Sequence, residues 1–207
     1  MIDNTSVRRL RPGDTIPSRL LQAIGGARVA IPDRGGALIH LQFRRYAGCP
    51  ICSLHLRSFA RRHAELVAAG IREVVVFHSS EADLRRVQRQ PFPLIADPQK
   101  VLYAEFGVGT SPRAVLDPRV WPTAARAVAA GVSSDPTAGM DGGSFGLPAD
   151  FLIAPAEPGA RAAATVSNGR VLACKYGVHA DDQWTVDELL LLAHGGFRAP
   201  LAARATS

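Results

Sequence analysis

Lysine is nearly missing from this 207-residue chain, occurring only at Lys100 and Lys175. The formal charge of +6 therefore rests almost wholly on arginine. Those arginines are scattered rather than striped, so the basic balance reads as a compositional habit and not as a nucleic-acid surface. Long apolar runs are also missing: none approaches the roughly 20 residues that a membrane-spanning helix needs. The opening stretch, Met1 to Leu10, lacks the apolar segment of a secretory signal, and a soluble cytoplasmic protein is the expectation. With only three cysteines, a disulfide scaffold is excluded. There is no Gly-rich phosphate loop after a strand, no Ser-His-Asp ordering and no paired-carboxylate motif. What remains is an ordinary globular balance, 47% hydrophobic and 20% charged, with the length for one substantial domain.

Turn punctuation divides the chain. Arg11-Pro12-Gly13-Asp14, Gly25-Gly26, Pro32-Asp33 and Gly35-Gly36 mark an N-terminal extension over 1–36, with a β-hairpin that includes Ala27 to Ile31. Ala37 to Phe43 reads as a buried strand, broken by Tyr46-Ala47-Gly48. Cys49-Pro50-Ile51-Cys52 then opens a helix. Pro50 suits its first turn, where a missing N–H costs nothing; Gly70 ends it. Arg72 to His78 is β-branched and apolar, as a central parallel strand should be. Ser80 and Asp83 form a capping box for a helix that Pro91 stops. Phe92 to Ala96 is a third short strand, followed by a helix from Asp97-Pro98 to Phe106. The region 110–146 is less regular, with a helix over Thr123 to Ala130, and reads as an insertion. Strands over 150–154 and 170–176 follow, with Asn168-Gly169 as a hairpin turn between them. Thr185 caps a last helix, Val186 to Ala193, and 195–207 is a tail. Alternating strands and helices imply an α/β fold with a parallel sheet covered on both faces, and the closing hairpin makes the sheet mixed. The order is thioredoxin-like, within one domain over 10–194.

The motif with chemistry in it is Cys49-x-x-Cys52. A thiolate, not a thiol, attacks disulfides and peroxides. At a helix N-terminus Cys49 faces unpaired backbone N–H groups and the positive end of the macrodipole, and both favour the anion. A spacing of three places Cys52 on the same helical face. Arg44 and Arg45 add positive potential just upstream. A Cys49 pKa of about 5–7.5 is expected. Cys174, far off in sequence, reads as a small buried hydrophobe. His179, Asp181 and Asp182 form a polar loop cluster, and His55 and His63 lie on the cysteine helix.

Beyond this motif the chain resembles the peroxiredoxin-like branch of the alkyl hydroperoxide reductase and thiol-specific antioxidant (AhpC/TSA) superfamily. The matching pieces are Pro12-Gly13-Asp14-Thr15-Ile16-Pro17, the apolar strand before Gly48-Cys49-Pro50, Phe92-Pro93-Leu94-Ile95-Ala96-Asp97-Pro98, Phe106-Gly107-Val108, Gly146-Leu147-Pro148 before Phe151, and Tyr176-Gly177 with Asp187 to Leu190. The resemblance implies that Cys49 is the attacking cysteine and Cys52 its resolving partner. It implies a peroxide or disulfide substrate, a protein or small thiol as reductant and no cofactor, and it allows a homodimer. It also places Pro148 in the position where thioredoxin-like folds hold a cis proline beside the cysteine pair.

Two positions depart from the family pattern. Tyr46 stands where a Thr or Ser normally precedes the attacking cysteine, and Gln42 where a proline does. No arginine immediately precedes Phe151. Slow peroxide reduction with ready disulfide exchange is therefore expected, with Tyr46 and Arg45 as the substitutes to examine. Two other readings stay open. One is a metal-binding protein using the cysteine pair with Cys174 or His55, although structural zinc usually takes two spaced pairs. The other is a binding module of this fold without efficient catalysis.

Overall fold

The computed structural model of the protein describes residues 8–132, 135–140, 143–156 and 168–195. Eight strands and seven α-helices occur among them: β1 (Thr15–Ile16), β2 (Arg19–Gln22), β3 (Arg28–Ile31), β4 (Leu38–Arg44), α1 (Pro50–Arg61), α2 (His63–Ala68), β5 (Ile71–Phe77), α3 (Glu81–Val87), β6 (Leu94–Ala96), α4 (Val101–Glu105), α5 (Arg113–Leu116), α6 (Trp121–Ala129), β7 (Ala149–Ile153), β8 (Gly169–Tyr176) and α7 (Val186–Gly195). A single 3₁₀ turn, Pro118–Val120, leads into α6.

Six strands form one mixed sheet in the order β1-β8-β7-β4-β5-β6. The βαβ crossovers through α1 and α3 make β4, β5 and β6 parallel, with Leu41 opposite Val74 and Val76 opposite Ile95. β7 and β8 add antiparallel strands on the other side. β2 and β3 make the separate N-terminal hairpin.

Strand alternation splits β4 between two cores. Ile39, Leu41 and Phe43 face Phe106, Phe151, Val171 and the hairpin residues Val29 and Ile31. On the opposite face Leu56 and Phe59 of α1 pack with Leu84 of α3 and Leu189 of α7. Each such apolar side chain contributes about 1.5–3 kcal/mol by leaving water. The second core holds α1 against the sheet, and the turn after β4 sets its N-terminus at the C-terminal end of that strand.

Several expectations change. The cysteine helix is two helices, because Arg62 (φ −106°, ψ 17°) leaves helical geometry between them. Asn168-Gly169 does not join two strands in a tight turn. Gly169 lies within β8, opposite Ile16 of β1, and the connection from β7 is long. Residues 1–7 of the extension and 196–207 of the tail lie outside the described residues.

Candidate active site

Cys49 is the N-cap of α1, with Pro50 in the first turn. Its own N–H donates to the Tyr46 carbonyl (3.1 Å), closing the turn that ends β4. The sulfur has no exposed surface, and neither has that of Cys52 one turn later. Both thiols are free.

Burial alone would raise the Cys49 pKa. Hydrogen bonding from the Cys52 thiol, the charge of Arg45 and the N–H groups of Cys52 and Ile51 outweigh it and lower the pKa to about 6. Arg45 Nη1 donates to Cys49 Sγ at 3.3 Å. Burial and the neighbouring Cys49 sulfur push the Cys52 thiol well up. The pair is thus split into a thiolate at the helix start and a protonated thiol behind it, the division that local attack and resolution require.

Tyr46 lies beside Arg45, whose guanidinium stands 5.3 Å above its ring. Burial and the cysteine charge push the Tyr46 hydroxyl up to about 12, so it stays protonated. Behind Arg45 sits His78, 1% exposed, with neither ring nitrogen partnered among the described residues. Burial, with the charge of Lys100, lowers its pKa to about 4. In the sequence His78 is the last residue of the strand expected over 72–78, and nothing in that apolar pattern marks it; in the structure it follows β5.

Arg44 does not join the cysteines. Its side chain lies on the face of β4 that α1 covers and pairs with Asp150 at 2.7 Å. Gln42, in the family's proline position, bonds Glu73 and accepts from Arg44 Nε (3.1 Å). His40 bridges Glu73 (2.9 Å) and Asp150 (3.2 Å), and Arg44 also meets His55 Nε2 at 3.1 Å. Apart from His55 these side chains are buried, and nothing in the sequence pattern marks them as a cluster.

Pro148 is corrected. The cis peptide among the described residues is Ile31–Pro32, and the Leu147–Pro148 bond is trans. Leu147 N–H donates to Gly109 O and Pro148 O accepts from Gly177 N–H, so the chain enters β7 extended and already bonded on both sides. The Pro148 ring lies against Gly177. Cys174 sits on the sheet face opposite α1, its thiol directed at Leu10 O (3.4 Å). In the loop cluster, Asp182 pairs with Lys175 and Asp181 accepts from Thr123. Among the described residues no group of three or more His, Cys, Asp or Glu side chains could hold a metal. No helix among them is long and apolar enough to cross a membrane.

A mixed sheet of this order, with a cysteine pair opening the helix after its central strand, defines a thioredoxin-like fold of the peroxiredoxin kind. The AhpC/TSA family model matches residues 12–156, and the chain belongs to that family. Among solved structures it is similar to the peroxidoxin BcpB from Mycobacterium tuberculosis, at 18% identity, covering 89% of this chain and 97% of that one, with a TM-score of 0.56. It is also similar to a cysteine-to-serine mutant of peroxiredoxin 6 from Arenicola marina (13% identity, 89% and 72% coverage, TM-score 0.59). A third similar structure is AhpC of Mycobacterium tuberculosis (13%, 90% and 92%, TM-score 0.55). None of the curated protein sequences matches the chain.

Proposed function

We propose that this protein is a thiol-dependent oxidoreductase in which Cys49 attacks a peroxide or disulfide and Cys52 resolves the product into a local disulfide. The observation that carries the reading is the split pair: a Cys49 thiolate favoured above about pH 6, with Arg45 at its sulfur, beside a protonated Cys52 thiol. Pro50 starts the helix whose N–H groups face the sulfur, Arg45 supplies the cation and Tyr46 packs beneath it. Arg45 takes over the charge role for which the family uses a later arginine. Tyr46, packed under Arg45, stands where the family has a threonine, so peroxide turnover is slow and disulfide exchange is the readier reaction. A cellular thiol, protein or small, restores the dithiol. A reducing compartment such as the cytoplasm suits that cycle. The domain is read as residues 10–194, with the N-terminal hairpin as part of it.

Mass mapping after limited oxidant tests the assignment. Cys49→Ser abolishes reaction, Cys52→Ser stops after one round with the adduct on Cys49, and Cys174→Ser leaves the first turnover unchanged. A disulfide between Cys49 and Cys174, or first modification at Cys52, refutes these roles.

A further inference from the structure

The described parts of the insertion, residues 110–132, 135–140 and 143–146, close on the cysteines. Val120, from the 3₁₀ turn, and Ala124, from α6, pack against Cys49, Cys52 and Ile51. Gly48 N–H donates to Ala138 O at 2.9 Å. The approach is tight enough that a Cβ on Gly48 would stand 2.1 Å from Asp135 O. Ser79 Oγ accepts from Ala47 N–H and donates to Gly139 O (3.2 Å). The Arg45 Nη2 group donates to Ser144 O. With both sulfurs at 0% exposure, no substrate atom reaches Cys49 while this cover is in place. The cover must open for attack and again for reduction.

Two hydrogen bonds hold the cover directly to the turn before α1 and a third reaches it through Ser79; the one from Arg45 carries charge. The same guanidinium that grips Ser144 O through Nη2 reaches Cys49 Sγ through Nη1. We infer that Arg45 latches the insertion to the thiolate of Cys49, so that oxidation of Cys49 releases the cover and admits the reductant. The inference rests on reading Cys49 as the attacking thiol.

The chemistry removes the anion. With a hydroperoxide as oxidant, Cys49 Sγ attacks its terminal oxygen and the O–O bond breaks. The leaving alkoxide takes a proton from water and departs as the alcohol. The Cys52 sulfur then attacks the Cys49 sulfenic acid, and the displaced hydroxide leaves with the Cys52 proton as water. The sulfurs have lost two electrons and both are neutral. A guanidinium left buried without its anion is strongly unfavourable and relaxes toward water. Its bond to Ser144 goes with it. A disulfide between residues three apart in the first turn leaves α1 intact, so the released part is the cover.

Hydrogen exchange of the full chain, read by mass spectrometry, tests this. The informative amide is that of Gly48, which bonds across to Ala138 O in the cover (2.9 Å). In the oxidised protein, with the Cys49–Cys52 disulfide verified by mapping, it exchanges about tenfold faster or more than in the reduced protein. Cys49→Ser removes the charge without any oxidation and gives the same acceleration. Arg45→Gln exchanges fast in both redox states. Slow exchange in Cys49→Ser overturns the latch whether or not the disulfide forms. Failure of the disulfide to form, with fast exchange in Cys49→Ser, overturns the catalytic reading and leaves the latch standing.

Discussion

Two adjacent arginines leave β4 for opposite sides, and their surroundings differ in one respect. Arg44 enters a cluster in which the charges pair: the Asp150 and Glu73 carboxylates face Arg44 and His40, and Gln42 joins the two halves. Arg45 enters a pocket with polar atoms to spare. Its Nε and both nitrogens of His78 lack a partner among the described residues. A fully satisfied buried network fixes a structure, whereas a partly satisfied one is costly and persists where it serves chemistry. The contrast separates the scaffold under α1 from the reacting end of α1.

Removing a carboxylate from the satisfied cluster has the largest effect. Asp150→Ala leaves Arg44 and His40 facing no anion on that side, with Trp184 N–H losing its acceptor as well. Orphaning one member of a buried ion pair costs about 3–5 kcal/mol. Urea unfolding measures it, and a loss below about 1 kcal/mol refutes the view that this cluster holds the sheet together.

The two regions respond to pH in opposite directions. Burial alone would lower the His40 pKa, but attraction to Glu73 and the bond to Asp150 raise it from 6.5 to about 9. The folded state then holds a proton that the unfolded state has lost, so stability from His40 is full below pH 6.5 and fades toward pH 9. Cys49 works the other way. Its pKa falls from 9.0 to about 6, so its contribution grows as the pH rises from 6 to 9. Each slope is on the order of 3 kcal/mol across the window, and they offset in the parent protein. In Cys49→Ser the urea midpoint falls between pH 6.5 and 9, and in His40→Gln it rises. Identical profiles in the two variants would show that the two regions are not separately charged.

How much of this was legible follows from where the information lies. Cys49 at a helix N-terminus was readable, since a strand, a turn, Pro50 and an apolar helical stripe are local signals. So were the strands over 72–78 and 92–96, and the Ser80 cap, which accepts from Asp83 N–H. The charged cluster was not. Ala37 to Phe43 reads as a buried apolar strand, and His40 and Gln42 reveal their role only when Glu73 and Asp150 arrive from strands 33 and 110 residues away from His40. The cover was illegible for the same reason: its glycines read as loop, and only the tertiary contact at Gly48 shows why no side chain fits there. The Pro148 expectation came from the family, and the hydrogen bonds around it in this chain run otherwise.

Arg45→Gln sharpens the comparison from the other side. It leaves the Asp150 cluster untouched and removes the cation from Cys49. The N–H groups of Ile51 and Cys52 remain, so the Cys49 pKa rises from about 6 by about one unit or more without reaching the free value. Thiolate ultraviolet absorbance against pH reads this directly. An unchanged pKa would assign the anion to the Cys52 thiol and the helix terminus, without Arg45.

The smallest effect has an unusual sign. His78 is buried with no hydrogen-bond partner among the described residues, and its ring meets Tyr103 edge-on at 5.6 Å. Burying a polar ring unpaired costs about 1–3 kcal/mol. Phenylalanine keeps the ring contact and removes the polar nitrogens, so His78→Phe stabilises the fold by about 1 kcal/mol after allowance for imperfect fit. The same change removes an acid sensitivity. The folded His78 pKa of about 4 lies below the free value of 6.5, so the unfolded chain takes up a proton first as the pH falls, and stability drops between pH 6.5 and 4. In the variant that part of the drop disappears. Parallel urea titrations at pH 7 and pH 4.5 test both halves. A His78→Phe protein less stable than the parent at pH 7 would mean that the imidazole has a partner in solution, and the pocket beside Arg45 would then be as fully satisfied as the cluster around Arg44.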